Sequence, residues 1–190
     1  MLAHKLCCFT IALIAASSLP ASQQSVSLDP DKTDIRFTLH DVLHTVHGKF
    51  KLKKESSIQF DPDSSKASGE IDIDVAGGST GSGSRDRRMH EEVLESQRYP
   101  EAKFTVSRID GKLDPQGQST IAVHGTFNIH GADHDLTLIF QAERAGQQYV
   151  LTTHFVIPYV EWGMKNPSTF VLKVDQFVEM DIKTTIHGEP

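Results

Sequence analysis

Short stretches of alternating apolar and polar residues run through most of this chain, and one helical segment interrupts them. In the clearest stretch, Ile71, Ile73 and Val75 alternate with carboxylate residues. A period of two residues is typical of a β-strand with one buried face. We count eight or nine such segments, among them one that contains Phe170, Leu172 and Val174. Because the connections are mostly short turns, the pattern favours one antiparallel barrel over βαβ units.

The predicted helix follows a glycine-rich loop at residues 77–83. Ser84 or Asp86 is predicted to cap it, because the side-chain oxygens of these residue types can accept from the free N–H groups of the first turn. Pro100 disfavours helical geometry at the residue before it. We therefore expect the helix to end at Tyr99 or just before it.

Residues 1–22 resemble a secretory leader rather than part of the fold. His4 and Lys5 precede an apolar run at residues 6–16, which is too short to span a bilayer as a helix. We expect cleavage after this leader, so that residues 23–190 form one mature domain. Both cysteines, Cys7 and Cys8, lie in the leader, and the mature domain is expected to contain no disulfide.

Charge argues against a nucleic-acid partner. The formal net charge is −6, and removal of Lys5 with the leader lowers it by one, to −7. A surface of this sign repels phosphate backbones, and no basic stripe with interleaved aromatic residues occurs. No second apolar run approaches the length of a membrane span, so we expect no stable membrane insertion.

The histidines do not form a recognisable metal motif. His44 and His47 are three residues apart, and His124, His130 and His134 cluster around one turn. Metal sites combine neutral imidazoles with carboxylates or thiolates, and no thiol remains after processing. We interpret these histidines as surface residues and expect no metal and no cofactor.

Catalytic motifs are also missing from the sequence, because no G-x-S-x-G, H-E-x-x-H or P-loop pattern occurs. Arg85, Asp86 and His90 could hold a polar group of a substrate. The simpler interpretation is that Arg85 and Asp86 pair to fix the loop before the helix. We therefore do not expect an enzyme.

An ordered series of motifs across the mature chain resembles the YceI-like family of lipocalin-like, polyisoprenoid-binding proteins. The resemblance runs from Leu28 to about Gly188. The motifs that carry it are Ile35-x-Phe37-x-Leu39, His44-x-Val46-x-Gly48-x-Phe50, the segment from Ser84 to His90 followed by Tyr99, Pro100 and Phe104, the segment from Val123 to Gly131, and the segment from Val160 to Met164.

This resemblance implies an all-β fold, a single eight-stranded antiparallel lipocalin-like barrel with one short helix after the glycine-rich loop. It also implies a periplasmic protein that holds a polyisoprenoid or other long-chain lipid in an apolar cavity. Sequence periodicity alone does not distinguish such a cavity from a packed interior. By strand parity, the expected lining residues are Phe37, Leu39, Phe50, Ile73, Phe104, Phe127, Ile129, Leu138 and Phe155.

A polar mouth is expected to contact the headgroup of the lipid, and its candidates are Arg85, Asp86, Tyr99 and Trp162. Two other functions stay open from the sequence. One is an enzyme or redox accessory protein that acts on a quinone-like lipid, and the other is a packed β domain that binds a protein partner. The sequence also leaves open whether the protein is a monomer or a homodimer.

Overall fold

The computed structural model describes residues 23–187, and the expected leader lies outside them. Ten strands account for most of this part of the chain, in agreement with the alternating sequence pattern. They are β1 (Gln24–Leu28), β2 (Thr33–His40), β3 (Thr45–Leu52), β4 (Ser56–Phe60), β5 (Lys66–Ser79), β6 (Glu101–Asp110), β7 (Gln118–Ile129), β8 (Ala132–Ala145), β9 (Gln148–Ile157) and β10 (Val178–His187).

Eight of these strands close into an antiparallel barrel in the order β5-β3-β2-β10-β9-β8-β7-β6, and β6 pairs back onto β5. Closure leaves none of the eight with an unpaired edge. The predicted all-β, eight-stranded antiparallel barrel is thereby confirmed. Because side chains alternate along each strand, one face of every barrel strand points to the interior.

The remaining two strands extend the sheet beyond one end of the barrel. β1 pairs with β4, and β4 pairs with the first residues of β5. Val26 and Ile58 from this pair pack against the core of the barrel, together with Phe104 and Ile121. We refer to this end as the hairpin end.

The opposite end carries the helical segment that follows the glycine-rich loop, and we refer to this end of the barrel as the helix end. The α-helix α1 (Gly83–Arg88) continues into a wider π-helical turn, Met89–Val93. The helix stops at Leu94, earlier than predicted, because Glu95 adopts a φ of 45°, in the left-handed region. The expected side-chain cap is wrong, since Ser82 is the N-cap residue and makes no capping hydrogen bond.

A long loop at residues 158–177 also covers the helix end. The sequence predicted a strand with Phe170, Leu172 and Val174, and this prediction is wrong. Only Val174 pairs, in an isolated bridge with Asp41, and Phe170 is 97% exposed. Among residues 23–187, no helix has the length and apolar character needed to cross a membrane.

Candidate ligand-binding cavity

The barrel encloses an elongated apolar cavity of about 610 Å³. Arg85 and Met89 line it at the helix end, whereas Val26 and Ile58 line it at the hairpin end. The lining therefore extends along the whole barrel. A volume of this size is within the range of cavities that hold small-molecule ligands, roughly 300–1,000 Å³.

All nine apolar residues that strand parity selected lie on the cavity wall. Their common feature is the inward position on a barrel strand, which keeps their side chains on the concave face. They are Phe37, Leu39, Phe50, Ile73, Phe104, Phe127, Ile129, Leu138 and Phe155. Their position is a structural finding, whereas their contact with a ligand stays a prediction.

Sequence reasoning missed two groups of lining residues. On the strands, Leu136 and Met180 have the same parity as the selected residues and could have been found by the same rule. At the helix end, Met89, Val93 and Leu94 close the cavity with apolar side chains. The i, i+4 spacing of Met89 and Val93 was the available signal for a buried helix face.

Arg85 is the only one of the four polar candidates on the cavity wall. Its Nε donates to the hydroxyl of Thr80 over 3.4 Å, and no carboxylate in the described part of the chain forms an ion pair with it. Arg88, which the sequence analysis did not select, also lines this end. The helix end of the cavity thus combines an apolar wall with two guanidinium groups.

Asp86 has a structural role in the loop that precedes it. One carboxylate oxygen accepts from the N–H and the hydroxyl of Thr80, each over 2.6 Å, and the other accepts from the Ser79 hydroxyl over 2.8 Å. The hydrogen bonds from Thr80 are the main reason that the pKa of Asp86 is lowered. Arg85 and Asp86 form no ion pair with each other in residues 23–187, and both contact Thr80 instead.

Tyr99 and Trp162 also lie outside the cavity wall. The Tyr99 ring contacts the ring of His130, with 4.5 Å between their centroids. Trp162 stacks on His134 at 4.0 Å, with only 8° between the ring planes. These contacts attach the connections around the barrel rim to the turn between β7 and β8 and to β8 itself, and neither side chain contributes to the cavity lining.

Hydrogen bonds hold the helical segment and the 158–177 loop in place over the helix end. Arg88 Nη2 donates to the carbonyl of Pro167 over 2.8 Å, which joins the helical segment to the 158–177 loop. The hydroxyl of Tyr159 donates to the carbonyl of Asp175 over 2.7 Å within that loop. Burial, with a smaller contribution from the charge of Asp175, raises the pKa of Tyr159 to about 12, so this donor stays protonated near neutral pH.

A second polar feature lies on the cavity wall near the hairpin end. The hydroxyls of Thr33 and Thr184 are 2.8 Å apart, and both residues line the cavity. Thr33 donates its proton to the carbonyl of Asp29 over 2.9 Å, so Thr184 acts as the donor to Thr33. The Thr184 oxygen therefore keeps acceptor capacity toward the cavity.

The histidines are dispersed over separate contacts. His124 contacts the carboxylate of Asp110 at 2.9 Å, and His130 contacts that of Glu95 at 2.7 Å. Between residues 23 and 187 the side chains form no group of three or more His, Cys, Asp or Glu residues that could hold a metal ion.

Comparison with known proteins finds one matching family model and several solved structures of similar fold. The family model of the YceI-like domain matches residues 27–186. No curated protein matches the sequence significantly. The identities with similar solved structures are low, so these structures compare the fold alone.

Three solved structures illustrate the likeness. Burkholderia cenocepacia BcnA has a TM-score of 0.64 and 17% identity, over 83% of this chain and 98% of that one. A polyisoprenoid-binding domain from Saccharophagus degradans, implicated in plant cell wall breakdown, gives 0.65 and 17%, over 86% and 98%. The Campylobacter jejuni YceI protein gives 0.54 and 14%, over 98% and 95%.

Proposed function

Because the chain belongs to the YceI-like family, we propose that it is a binding protein for a polyisoprenoid or a similar long amphiphile, held in the barrel cavity. The observation that carries this proposal is the elongated apolar cavity of about 610 Å³. The similar domain from Saccharophagus degradans is described as polyisoprenoid-binding, which gives independent support for this class of ligand.

The energetics favour exchange with a membrane rather than capture from water. Moving an apolar chain out of water gains about 0.8 kcal/mol for each CH₂ group. A lipid in a bilayer already has that gain, so the cavity only needs to match the bilayer interior. A few polar contacts with the headgroup then decide the direction of transfer.

We place the headgroup at the helix end, beside Arg85. This side chain lines the cavity without a carboxylate partner in residues 23–187, and guanidinium groups bind oxygen acceptors well. Arg88 is less available, because it donates to Pro167 and lies 3.7 Å from a carboxylate oxygen of Glu92. The expected polar mouth is thus reduced to Arg85, while Asp86, Tyr99 and Trp162 support the surrounding structure.

A binding role is better supported than the alternative of catalysis on a quinone-like lipid. Asp86 is occupied by Ser79 and Thr80. Both ring nitrogens of His90 are also occupied, one by the carbonyl of Gly78 at 2.9 Å and the other by the Ser96 hydroxyl at 3.0 Å. Neither side chain is presented to the cavity as a free acid or base.

We also propose that residues 1–22 direct export and that the barrel works in the periplasm as a carrier. The sequence features that support this are the basic start, the apolar run of leader length and the absence of cysteine after residue 8. Cell fractionation tests the location, because a full-length cytoplasmic protein would contradict it.

Native mass spectrometry tests the proposed function. The full chain is expressed in an exporting bacterial host, purified without detergent and measured before and after organic extraction. We expect an added mass that extraction removes and that chromatography identifies as a long apolar lipid. A barrel that stays empty, even after incubation with prenyl lipids in vesicles, would contradict the proposal.

A further inference from the structure

Exposed apolar residues are concentrated in two turns at the helix end. Among residues 23–187, seven large apolar side chains are exposed, and the four most exposed form two pairs of sequence neighbours. Val42 and Leu43 are 64% and 68% exposed, and Phe170 and Val171 are 97% and 80% exposed. We name these four residues the tip surface. Clustered exposure of this kind on a folded domain indicates an interaction site.

The first of the two turns holds its apolar pair outward by hydrogen bonds within the turn. The N–H of Asp41 donates to the carbonyl of His44 over 2.9 Å. The Asp41 carboxylate accepts from the N–H groups of Leu43 and His44, both over 2.7 Å. Val42 and Leu43 therefore occupy the centre of an Asx-type turn rather than a collapsed loop.

The second turn has the same design. The N–H of Thr169 donates to the carbonyl of Leu172 over 2.8 Å, and the N–H of Leu172 donates back to the Thr169 hydroxyl over 3.0 Å. Phe170 and Val171 lie between these residues. The polar residue in each turn satisfies the local backbone, which leaves the apolar pair free to contact something else.

Backbone hydrogen bonds join the two turns into one surface. The N–H of Val42 donates to the carbonyl of Lys173 over 3.1 Å, and the N–H of Asp175 donates to the carbonyl of His40 over 3.0 Å. Asp41 and Val174 form the isolated bridge between them. The four apolar residues are therefore presented together, at fixed relative positions.

The residues that flank both turns line the cavity. His40 and Asp41 belong to the base of the first turn, and Leu172 and Val174 to the base of the second. The tip surface therefore borders the helix end of the cavity, where the proposed headgroup contact, Arg85, also lies. A surface in this position would contact the partner that delivers the ligand to the cavity or receives it.

We propose that the tip surface docks reversibly on the surface of a lipid bilayer, with Phe170, Val171, Val42 and Leu43 inserted at the interface. This inference rests on the proposed function for its purpose, because long amphiphiles reside in bilayers. Interfacial docking requires only a shallow apolar insertion, without a membrane span.

Area favours a bilayer over a second copy of the chain. A patch of this kind offers roughly 300–600 Å², and a specific protein interface buries about 800 Å² on each partner. Charge does not drive the docking. In the two loops, Lys165 and Lys173 face three carboxylates, those of Asp41, Glu161 and Asp175, and the chain as a whole is acidic. We therefore expect docking that depends little on salt and on anionic lipid.

A single-cysteine labelling experiment tests the docking. Phe170→Cys and Leu43→Cys are each labelled with the environment-sensitive fluorophore NBD, and Ile139→Cys, a 47% exposed position on the outer wall, is the matched control. Unsubstituted protein treated in the same way reports any labelling of Cys7 and Cys8. The vesicles are phosphatidylcholine, with and without one fifth phosphatidylglycerol, and contain no prenyl lipid.

The expected result is a several-fold rise and a blue shift of NBD emission at positions 170 and 43, with little change at 139. The double variant Leu43→Ser, Phe170→Ser should lose vesicle binding by roughly tenfold or more, because each large apolar side chain contributes about that factor. The inference would be overturned by an equal response at position 139 or by no response at any position. It would also be overturned if the NBD emission changed in the absence of vesicles when the protein concentration is raised.

A second measurement separates this inference from the proposed function. The double variant should co-purify with as much lipid as the unsubstituted protein, because neither residue is on the cavity wall, but should transfer lipid between vesicles more slowly. If the protein holds lipid yet never binds vesicles, the docking inference is wrong and the binding function stands. If the protein docks on vesicles while the barrel stays empty, the binding function is wrong and the docking inference stands.

Discussion

Asp86 illustrates how far a single residue can be interpreted from sequence. A carboxylate at the start of a helix is a plausible capping residue, and beside an arginine it is also a plausible site residue. Its actual partners, Ser79 and Thr80, precede it by six or seven residues, in a glycine-rich loop whose path no periodic pattern predicts. The sequence therefore identified a residue that fixes the loop but not the hydrogen bonds by which it does so.

Replacement of Asp86 by alanine is expected to lower the free energy of unfolding by about 1–3 kcal/mol, because three donors lose a charged acceptor. Urea unfolding of the purified variant measures the change. The amount of bound lipid should change little, since the side chain is not on the cavity wall. Intact stability with lost lipid would contradict this and make Asp86 a ligand contact.

Asp86 also predicts an effect of pH. Hydrogen bonds from Thr80 lower the pKa of Asp86 in the folded state, so folding favours the ionised carboxylate. The resulting stability is present above the pKa of an aspartate in the unfolded chain, about 3.9. It is lost as the pH falls through the lower pKa that Asp86 has in the folded state. The stability difference between the unsubstituted protein and Asp86→Asn should therefore shrink from pH 6 to pH 3 in urea unfolding. A difference that grows on acidification would contradict the assignment.

At the scale of elements, the strand pattern was predicted well where one face of the strand meets the cavity. It failed for the segment at Phe170, Leu172 and Val174, where the apolar Val171 interrupts the alternation. Here Leu172 and Val174 line the cavity, whereas Phe170 and Val171 lie in one exposed turn. The sequence alone could not distinguish these uses, because apolar residues at positions 170, 172 and 174 fit a strand as well as a loop that covers a cavity.

The position of the helical segment in the chain was predicted, but its length was not. Pro100 was the visible stop signal, and the chain leaves the helix five residues earlier, at Glu95. The Leu94 N–H donates to the Met89 carbonyl over 2.8 Å, which is the wide spacing of a π-turn. Neither this widening nor the positive φ of Glu95 has a local sequence signature.

Gly125 gives a test of the close packing between β6 and β7. A Cβ atom at this position would lie 2.3 Å from the carbonyl oxygen of Thr105 and 2.8 Å from Cζ of Phe104. Gly125→Ala should therefore destabilise the barrel by about 1–3 kcal/mol, the usual cost of overpacking, measured by urea unfolding. Gly83→Ala is the matched control, because a Cβ there meets nothing within 4 Å. Equal stability of the two variants would mean that the strands shift apart freely.

At the scale of the whole molecule, the sequence predicted the barrel but not whether it is hollow. The inward residues are the same in both cases, since parity gives the direction of a side chain and not the distance to the opposite wall. That distance depends on strand tilt and stagger, which are properties of the closed sheet. The cavity therefore became visible only in the structure, although its wall was correctly selected.

A tryptophan placed inside the barrel distinguishes an occupied cavity from a packed core. Leu136→Trp adds bulk on the cavity wall, and Ile139→Trp adds the same bulk on the outer face of the same strand. We expect Leu136→Trp to keep its unfolding temperature within a few degrees and to lose co-purified lipid, while Ile139→Trp keeps both. A large loss of stability in Leu136→Trp alone, of the size that overpacking a filled core produces, would contradict a hollow interior.

The hydrogen bond from Arg88 to the Pro167 carbonyl has a mechanical consequence. It connects the segment that covers the cavity to the loop that carries Phe170 and Val171, so a displacement of one strains the other. A displacement of that loop would therefore be transmitted to the helical segment through this hydrogen bond and through the ion pair between Lys165 and Glu92. The proposed docking of the tip surface on a bilayer would then displace the helical segment over the cavity in the same step, with no separate trigger needed.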